Sequence, residues 1–190
     1  NIRINGSSTI YEAYHHGSLL GTVTLSVPGR HNVANSLAAI AVGRHIGLDF
    51  HLIAEGLEAF QGAKRRFQTK GRVAGVWVVD DYAHHPTEIS TTLAAARDMN
   101  PKRLICVFQP HRYSRTKFLY REFGGSFGDA DQLILTDIYA AGEEPIEGVT
   151  GELIQQEVAA QTGRRPTYIA DKQKIPRYLE QIVEAGDLVI

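Results

Sequence analysis

From Val73 onward the chain alternates between short apolar runs and longer amphipathic stretches, and this alternation limits the fold more than any other feature. Val73–Val79 is an almost continuous apolar run, as expected of a strand buried on both faces. Pro86 suits the first turn of a helix reaching about Met99. Arg103–Phe108, Gln132–Thr136, Thr167–Ala170 and Asp187–Ile190 read as further strands. Thr116–Phe127, Gly151–Gln161 and Lys172–Glu184 read as the intervening helices. Such alternation implies right-handed crossovers and an α/β fold, a Rossmann-like, doubly wound, mostly parallel sheet.

The first sixty residues follow another pattern. Thr9–His15 and Leu19–Val27 alternate around His16-Gly17-Ser18 and predict a hairpin. An Ala-rich helix follows from Asn32, the expected N-cap, to Ile46, and a second runs from the expected cap Asp49 to Phe60. This β-β-α-α segment is too small to be a whole domain and reads as the end of one, with the basic stretch Gln61–Phe67 as linker. The first residue is not Met and the last residues stop inside a predicted strand, so the chain is expected to be a piece of a longer protein.

Composition sets outer bounds. Twenty basic residues against 21 acidic ones give a net charge of −1, which argues against nucleic acid as the main partner. No apolar run approaches the roughly 18 residues of a membrane span, and no basic-then-apolar leader opens the chain. The single Cys106 excludes an internal disulfide and fits a reducing compartment.

In parallel sheets ligands bind beyond the carboxyl ends of the strands. Three successive crossover loops there are rich in chemistry: Asp80-Asp81-Tyr82-Ala83-His84-His85-Pro86, Gln109-Pro110-His111-Arg112-Tyr113-Ser114-Arg115-Thr116, and Asp137-Ile138-Tyr139-Ala140-Ala141-Gly142-Glu143. Arg112 and Arg115 are three apart and would share a helix face, where guanidinium forks grip carboxylate or phosphate. Asp80-Asp81 suits a ribose hydroxyl, a cation, or the cap of the helix at Pro86. His84-His85 has no Cys cluster to support a metal, and His84 is better read as a hydrogen-bonding or proton-handling group. Lys64-Arg65-Arg66 is either a solvated linker or a hinge whose arginine reaches phosphates. Asn35, one turn into the first helix, suits a base edge.

Together with Val27-Pro28-Gly29-Arg30-His31-Asn32-Val33-Ala34-Asn35, these loops resemble the bacterial Mur ligase family, and the likeness runs through essentially the whole chain. The resemblance implies three domains: one for a UDP-sugar, a central ATPase and a Rossmann-like third. Residues 1–61 would be the C-terminal part of the central ATP-binding domain, and 62–190 the amino-acid-binding third domain. The family's phosphate loop, G-x-x-x-x-G-K-S/T, does not occur in the sequence, so this chain alone is expected to be inactive. The implied reaction is cytoplasmic, ATP-dependent ligation of L-alanine to the carboxylate of UDP-N-acetylmuramic acid in peptidoglycan synthesis, through an acyl phosphate. Mg²⁺ would be held by residues outside this chain, with neither nucleic acid nor membrane as partner. By the same resemblance Asn32 and Asn35 would lie near adenine, Arg66 at the ATP phosphates and Asp81 on the ribose, while Tyr82, His84, Arg112 and Arg115 would line the amino-acid pocket. His84, Arg112 and Arg115 are the candidate catalytic groups. A non-catalytic nucleotide- or phosphate-binding module is the alternative; a dinucleotide oxidoreductase lacks its G-x-G-x-x-G after the first strand.

Overall fold

A computed structural model of the chain describes residues 1–5 and 8–190. The first unit is an antiparallel sheet of β1 (Ile2–Asn5), β2 (Ser8–His15) and β3 (Ser18–Leu25), followed by α1 (Arg30–His45) and α2 (Phe50–Ala59). The β2–β3 turn passes through His16 and Gly17 at φ 48° and 81°, the left-handed pair that a two-residue hairpin requires. Strand β1 was not expected: its alternation, Ile2-Arg3-Ile4-Asn5, is too short to register, yet it pairs with β2 from Ile2 opposite Tyr11. Tyr11, Ala13, Val23 and Leu25 point to one face and pack on Val33, Ile40 and Ile53 of the helices. Gly21 permits this approach, since a Cβ there would lie 2.6 Å from the Phe50 ring.

Asp49 caps α2 as expected, its Oδ1 accepting the His51 N–H at 2.8 Å. The start of α1 needs correcting. Gly29, at φ 96°, is the N-cap residue, and the helix begins two residues before the expected position. Asn32 lies in the first turn with its amide donating to Pro28 O at 2.7 Å.

The second unit comprises β4 (Gln68–Val73), β5 (Val76–Asp80), α3 (Pro86–Arg97), β6 (Arg103–Phe108), α4 (Tyr113–Gly124) and β7 (Gln132–Leu135). It continues with α5 (Gly151–Thr162), β8 (Thr167–Tyr168), a 3-10 turn (Lys172–Lys174), α6 (Ile175–Ile182) and β9 (Asp187–Val189). The sheet order is β4-β5-β9-β6-β7-β8, parallel except for β4. The expected single strand Val73–Val79 is in fact interrupted: the chain reverses at Ala74-Gly75, φ 50° and 81°, so the basic stretch after Phe67 becomes an antiparallel edge strand. Its exposed Lys70 and Arg72 suit an edge, because charges discourage further pairing.

Successive residues of β6 feed opposite faces. Leu104, Cys106 and Phe108 meet Ile89 and Leu93 of α3, Phe123 of α4 and Ile154 of α5, whereas Ile105 meets Ile175 of α6. Helices therefore cover both faces, and the carboxyl ends of β5, β6 and β7 are left for the three loops.

Candidate functional site

After β5 the chain turns along a carboxylate. Asp81 accepts the Phe67 N–H through Oδ2 at 2.7 Å and the Ala83 N–H through Oδ1 at 2.7 Å. The cap of α3 is neither Asp80 nor Asp81. His85 Nδ1 accepts the Thr87 N–H at 3.3 Å, while Glu88 Oε2 accepts the N–H groups of His84 and His85 at 3.0 and 3.2 Å. This is a capping box with imidazole in the usual hydroxyl position. Burial alone would raise the Glu88 carboxyl, but the His84 and His85 N–H groups and nearby His84 and Arg66 outweigh it and hold it below the usual range.

Two imidazoles have their tautomers set by their partners. His84 Nδ1 lies 2.7 Å from Tyr82 O; a carbonyl only accepts, so Nδ1 carries the hydrogen and Nε2 of the neutral ring keeps a lone pair. His111 Nδ1 lies 3.2 Å from Arg115 Nη1; a guanidinium only donates, so here Nδ1 accepts and the hydrogen is on Nε2, 3.3 Å from the Tyr82 hydroxyl. Burial lowers the His111 pKa from its ordinary value, and Arg115, His84 and Arg112 lower it further. The ring is thus kept neutral while touching a cation.

Tyr82 is the hub. Its ring centroid lies 4.9 Å from that of His84 and 5.9 Å from that of His111, and the Arg65 guanidinium stacks 4.6 Å from it. The loop after β6 is joined to the loop after β7 by backbone: Arg112 N donates to Tyr139 O at 2.8 Å and Tyr139 N to Pro110 O at 2.8 Å. The three loops meet through Tyr82, His84, His111 and Tyr139 around a cleft of about 530 Å³, which Lys172 also lines.

The arginines do not share a helix face as their spacing suggested. Arg112 precedes α4 at φ 77° and ψ 137°, while Arg115 is in the first turn and folds back onto His111, donating also to its carbonyl at 3.1 Å. Arg115 contacts His111, which lines the cleft, and Arg112 stands beside Glu143 of the next loop, but neither arginine is itself among the residues lining the cleft.

A second cleft of about 610 Å³ runs between the two units, lined by Asn32, Asn35, Arg66 and Asp81 together with His31. Asp81 borders both clefts. His31 Nδ1 is buried there with no partner among the described residues, and burial lowers its pKa. Arg66 Nη1 stands 3.8 Å from Glu88 Oε1, loose enough to leave donors free.

Sequence reasoning did not single out His31, Glu88, His111, Glu143 or Lys172. His111 and Glu143 lay inside the strings already quoted, and the missing signal was which of their neighbours would be occupied. No group of three or more His, Cys, Asp or Glu side chains able to hold a metal ion forms among the described residues. Burial pushes the Cys106 thiol up to about 12, so it is no nucleophile. What remains is a set of guanidinium donors and imidazoles on neighbouring loops, chemistry suited to gripping an anion next to a proton acceptor.

Comparison with known proteins follows the same outline. The family model described as "Mur ligase, glutamate ligase domain" matches residues 65–190. The UDP-N-acetylmuramate--L-alanine ligase of Syntrophus aciditrophicus is 53% identical over 189 residues, covering 100% of this chain and 39% of that protein. The ligase of the same name from Pelotomaculum thermopropionicum is 50% identical over 190 residues, covering 100% of this chain and 41% of that protein. Among solved structures, the UDP-N-acetylmuramate-alanine ligase of Thermotoga maritima superposes with a TM-score of 0.81 at 25% identity, over 99% of this chain and 40% of that one. A murein peptide ligase from Psychrobacter arcticus gives 0.64 at 27% identity, over 99% and 39%. The chain thus spans about two fifths of the length of the curated relatives it matches. With the parallel sheet, the carboxyl-edge loops and the matched residues agreeing, the chain belongs to the Mur ligase family.

Proposed function

We propose that the protein containing this chain joins L-alanine to the carboxylate of UDP-N-acetylmuramic acid at the expense of ATP, as a cytoplasmic step of peptidoglycan synthesis. Residues 62–190 hold the amino acid, and residues 1–61 complete the nucleotide site as the end of a central domain. The observation that carries this reading is the chain of contacts Arg115–His111–Tyr82–His84, which joins two crossover loops at the carboxyl edge of the sheet.

In this reading the muramic acid carboxylate attacks the γ-phosphate of ATP, giving an acyl phosphate and ADP. The amine of alanine then attacks the acyl carbon and phosphate leaves. Arg112 and Arg115 clamp the alanine carboxylate, each having donors to spare. The amine must be neutral to attack, and the lone pair on His84 Nε2 accepts its proton. Tyr82 limits the side-chain space, although size alone separates neighbouring amino acids by only about 1–3 kcal/mol. Asn32 and Asn35 face the adenine, Asp81 the ribose and Arg66 the phosphates, in the cleft between the units. Mg²⁺, when bound, supplies charge neutralisation at the phosphates; its ligands are assigned outside residues 1–190. No helix among the described residues is long and apolar enough to cross a membrane.

The test is ADP release by the full-length protein. Release is expected only when UDP-N-acetylmuramic acid and L-alanine are both present. Equal release without alanine, or with an unrelated amino acid in its place, overturns the assignment.

A further inference from the structure

Helix α4 begins without a cap of its own. The residue before it, Arg112, makes no side-chain capping hydrogen bond and is held at φ 77°, a conformation few side chains adopt. The open N–H groups of the first turn need an acceptor. It comes from another crossover. Glu143, in the loop after β7, accepts the Ser114 N–H through Oε2 at 2.9 Å and the Ser114 hydroxyl through Oε1 at 2.6 Å. The turn that aims it back runs through Ala141 and Gly142, φ 51° and 86°, and is closed by Glu143 N donating to Ala140 O at 3.1 Å.

The same carboxylate faces the clamp. Glu143 Oε1 lies 3.8 Å from Arg112 Nη1, near enough to attract the guanidinium and too far to tie up its donors. The two Ser114 hydrogen bonds, and then Arg112, hold the Glu143 carboxyl below its usual range, which favours its charged form.

We propose that Glu143 is a positioning residue for the amino-acid site: it caps α4 from the neighbouring loop and, with the same carboxylate, orients Arg112 toward the incoming amino-acid carboxylate. The proposal rests on the amino-acid-binding role of Arg112 given above. Glu143 touches neither substrate nor nucleotide and acts through Arg112. A guanidinium on a half-exposed side chain has many rotamers, and fixing it beforehand lowers the cost of binding.

A double-mutant cycle in the full-length protein tests this. Glu143→Gln keeps an acceptor for Ser114 but removes the charge, and is expected to raise KM for L-alanine about fivefold, with KM for ATP and kcat changed less than twofold. Glu143→Ala is expected to raise it about tenfold. In an Arg112→Ala background, either change should add less than twofold, because the residue it acts through is gone. An unchanged alanine KM in Glu143→Gln, equal rises for alanine and ATP, or effects that multiply across the cycle each overturn the role. A wild-type enzyme that joins a different amino acid overturns only the alanine assignment, and the same cycle run with that amino acid still decides for or against Glu143.

Discussion

The two ends of the six-stranded sheet hold their charges differently. At the amino end Arg103 grips the buried Asp187 from Nε at 2.9 Å and from Nη2, while Arg97 reaches Asp131 at 2.8 Å. Asp131 also accepts the Leu104 N–H at 2.7 Å. At the carboxyl end opposite charges approach without closing: Arg112 to Glu143 and Arg66 to Glu88 stand at 3.8 Å, and Arg65 to Asp80 at 3.4 Å. A guanidinium locked in a fork has its donors occupied, whereas one held loosely keeps them for an arriving anion. One end is closed among its own residues, and the other keeps donors that the proposed function assigns to a ligand.

The largest effect is expected at Arg115, whose Nη1 is spent on His111 while its Nε and Nη2 make no hydrogen bond among the described residues. Replacing it with Ala in the full-length protein should lower kcat/KM for alanine about 100-fold, roughly 2.7 kcal/mol, with Tm moving less than about 2 °C. Steady-state kinetics beside calorimetry check it, and a large Tm loss with normal kinetics would make the rim structural. Asp187→Asn should do the reverse. It leaves Arg103 half-paired, and a loss of about 2 kcal/mol, or about 4–8 °C in Tm, is expected after discounting for the partial exposure of Arg103. The alanine KM should not move; if it does, the two ends are coupled and the contrast fails.

Acid should reach the histidines of the carboxyl end before any carboxylate at either end, with the smallest effect. His31 and His111 have native pKa values below their ordinary one, so the unfolded chain takes up protons first. Their contribution to stability is present above about pH 6.5 and is lost as the pH falls below it. Asp187 and Asp131 are held below the carboxylate range, chiefly by the Arg103 fork at Asp187 and, against burial, by the Leu104 N–H and Arg97 at Asp131. Their contribution is present above about pH 4 and is lost only further down. Thermal melts from pH 7 to 3 should therefore weaken in two stages, and His111→Gln should flatten the upper one. An unaltered upper stage in that variant would remove His111 from the account.

Much of the second unit was legible because local signals agreed there. Arg103–Phe108 is a strand with the expected bounds, and Pro86 opens α3 as its fixed φ suggests. The hairpin at Ala74-Gly75 was hidden because two small residues inside an apolar run do not interrupt hydrophobicity; only the glycine hinted at it. The arginine spacing misled because a helical face presupposes helical backbone, and Arg112 lies outside α4. Glu143 as the cap of α4 was beyond reach, since its partner Ser114 belongs to another crossover and the pairing exists only once β6 and β7 are side by side. The place of β9 was equally invisible, as strand order does not follow chain order.

That place has a consequence for how the protein is made. Strands β5 and β6 do not pair; β9 lies between them, with Trp77 on one side and Leu104 on the other both facing Leu188. A ribosome delivers β5 and β6 long before it delivers Leu188, so the nascent domain waits as two half-sheets with open edges, the state most prone to wrong pairing. A chain halted before Asp187 would lack β9 and, with it, the keystone between the loop bearing Tyr82 and the loop bearing Arg115.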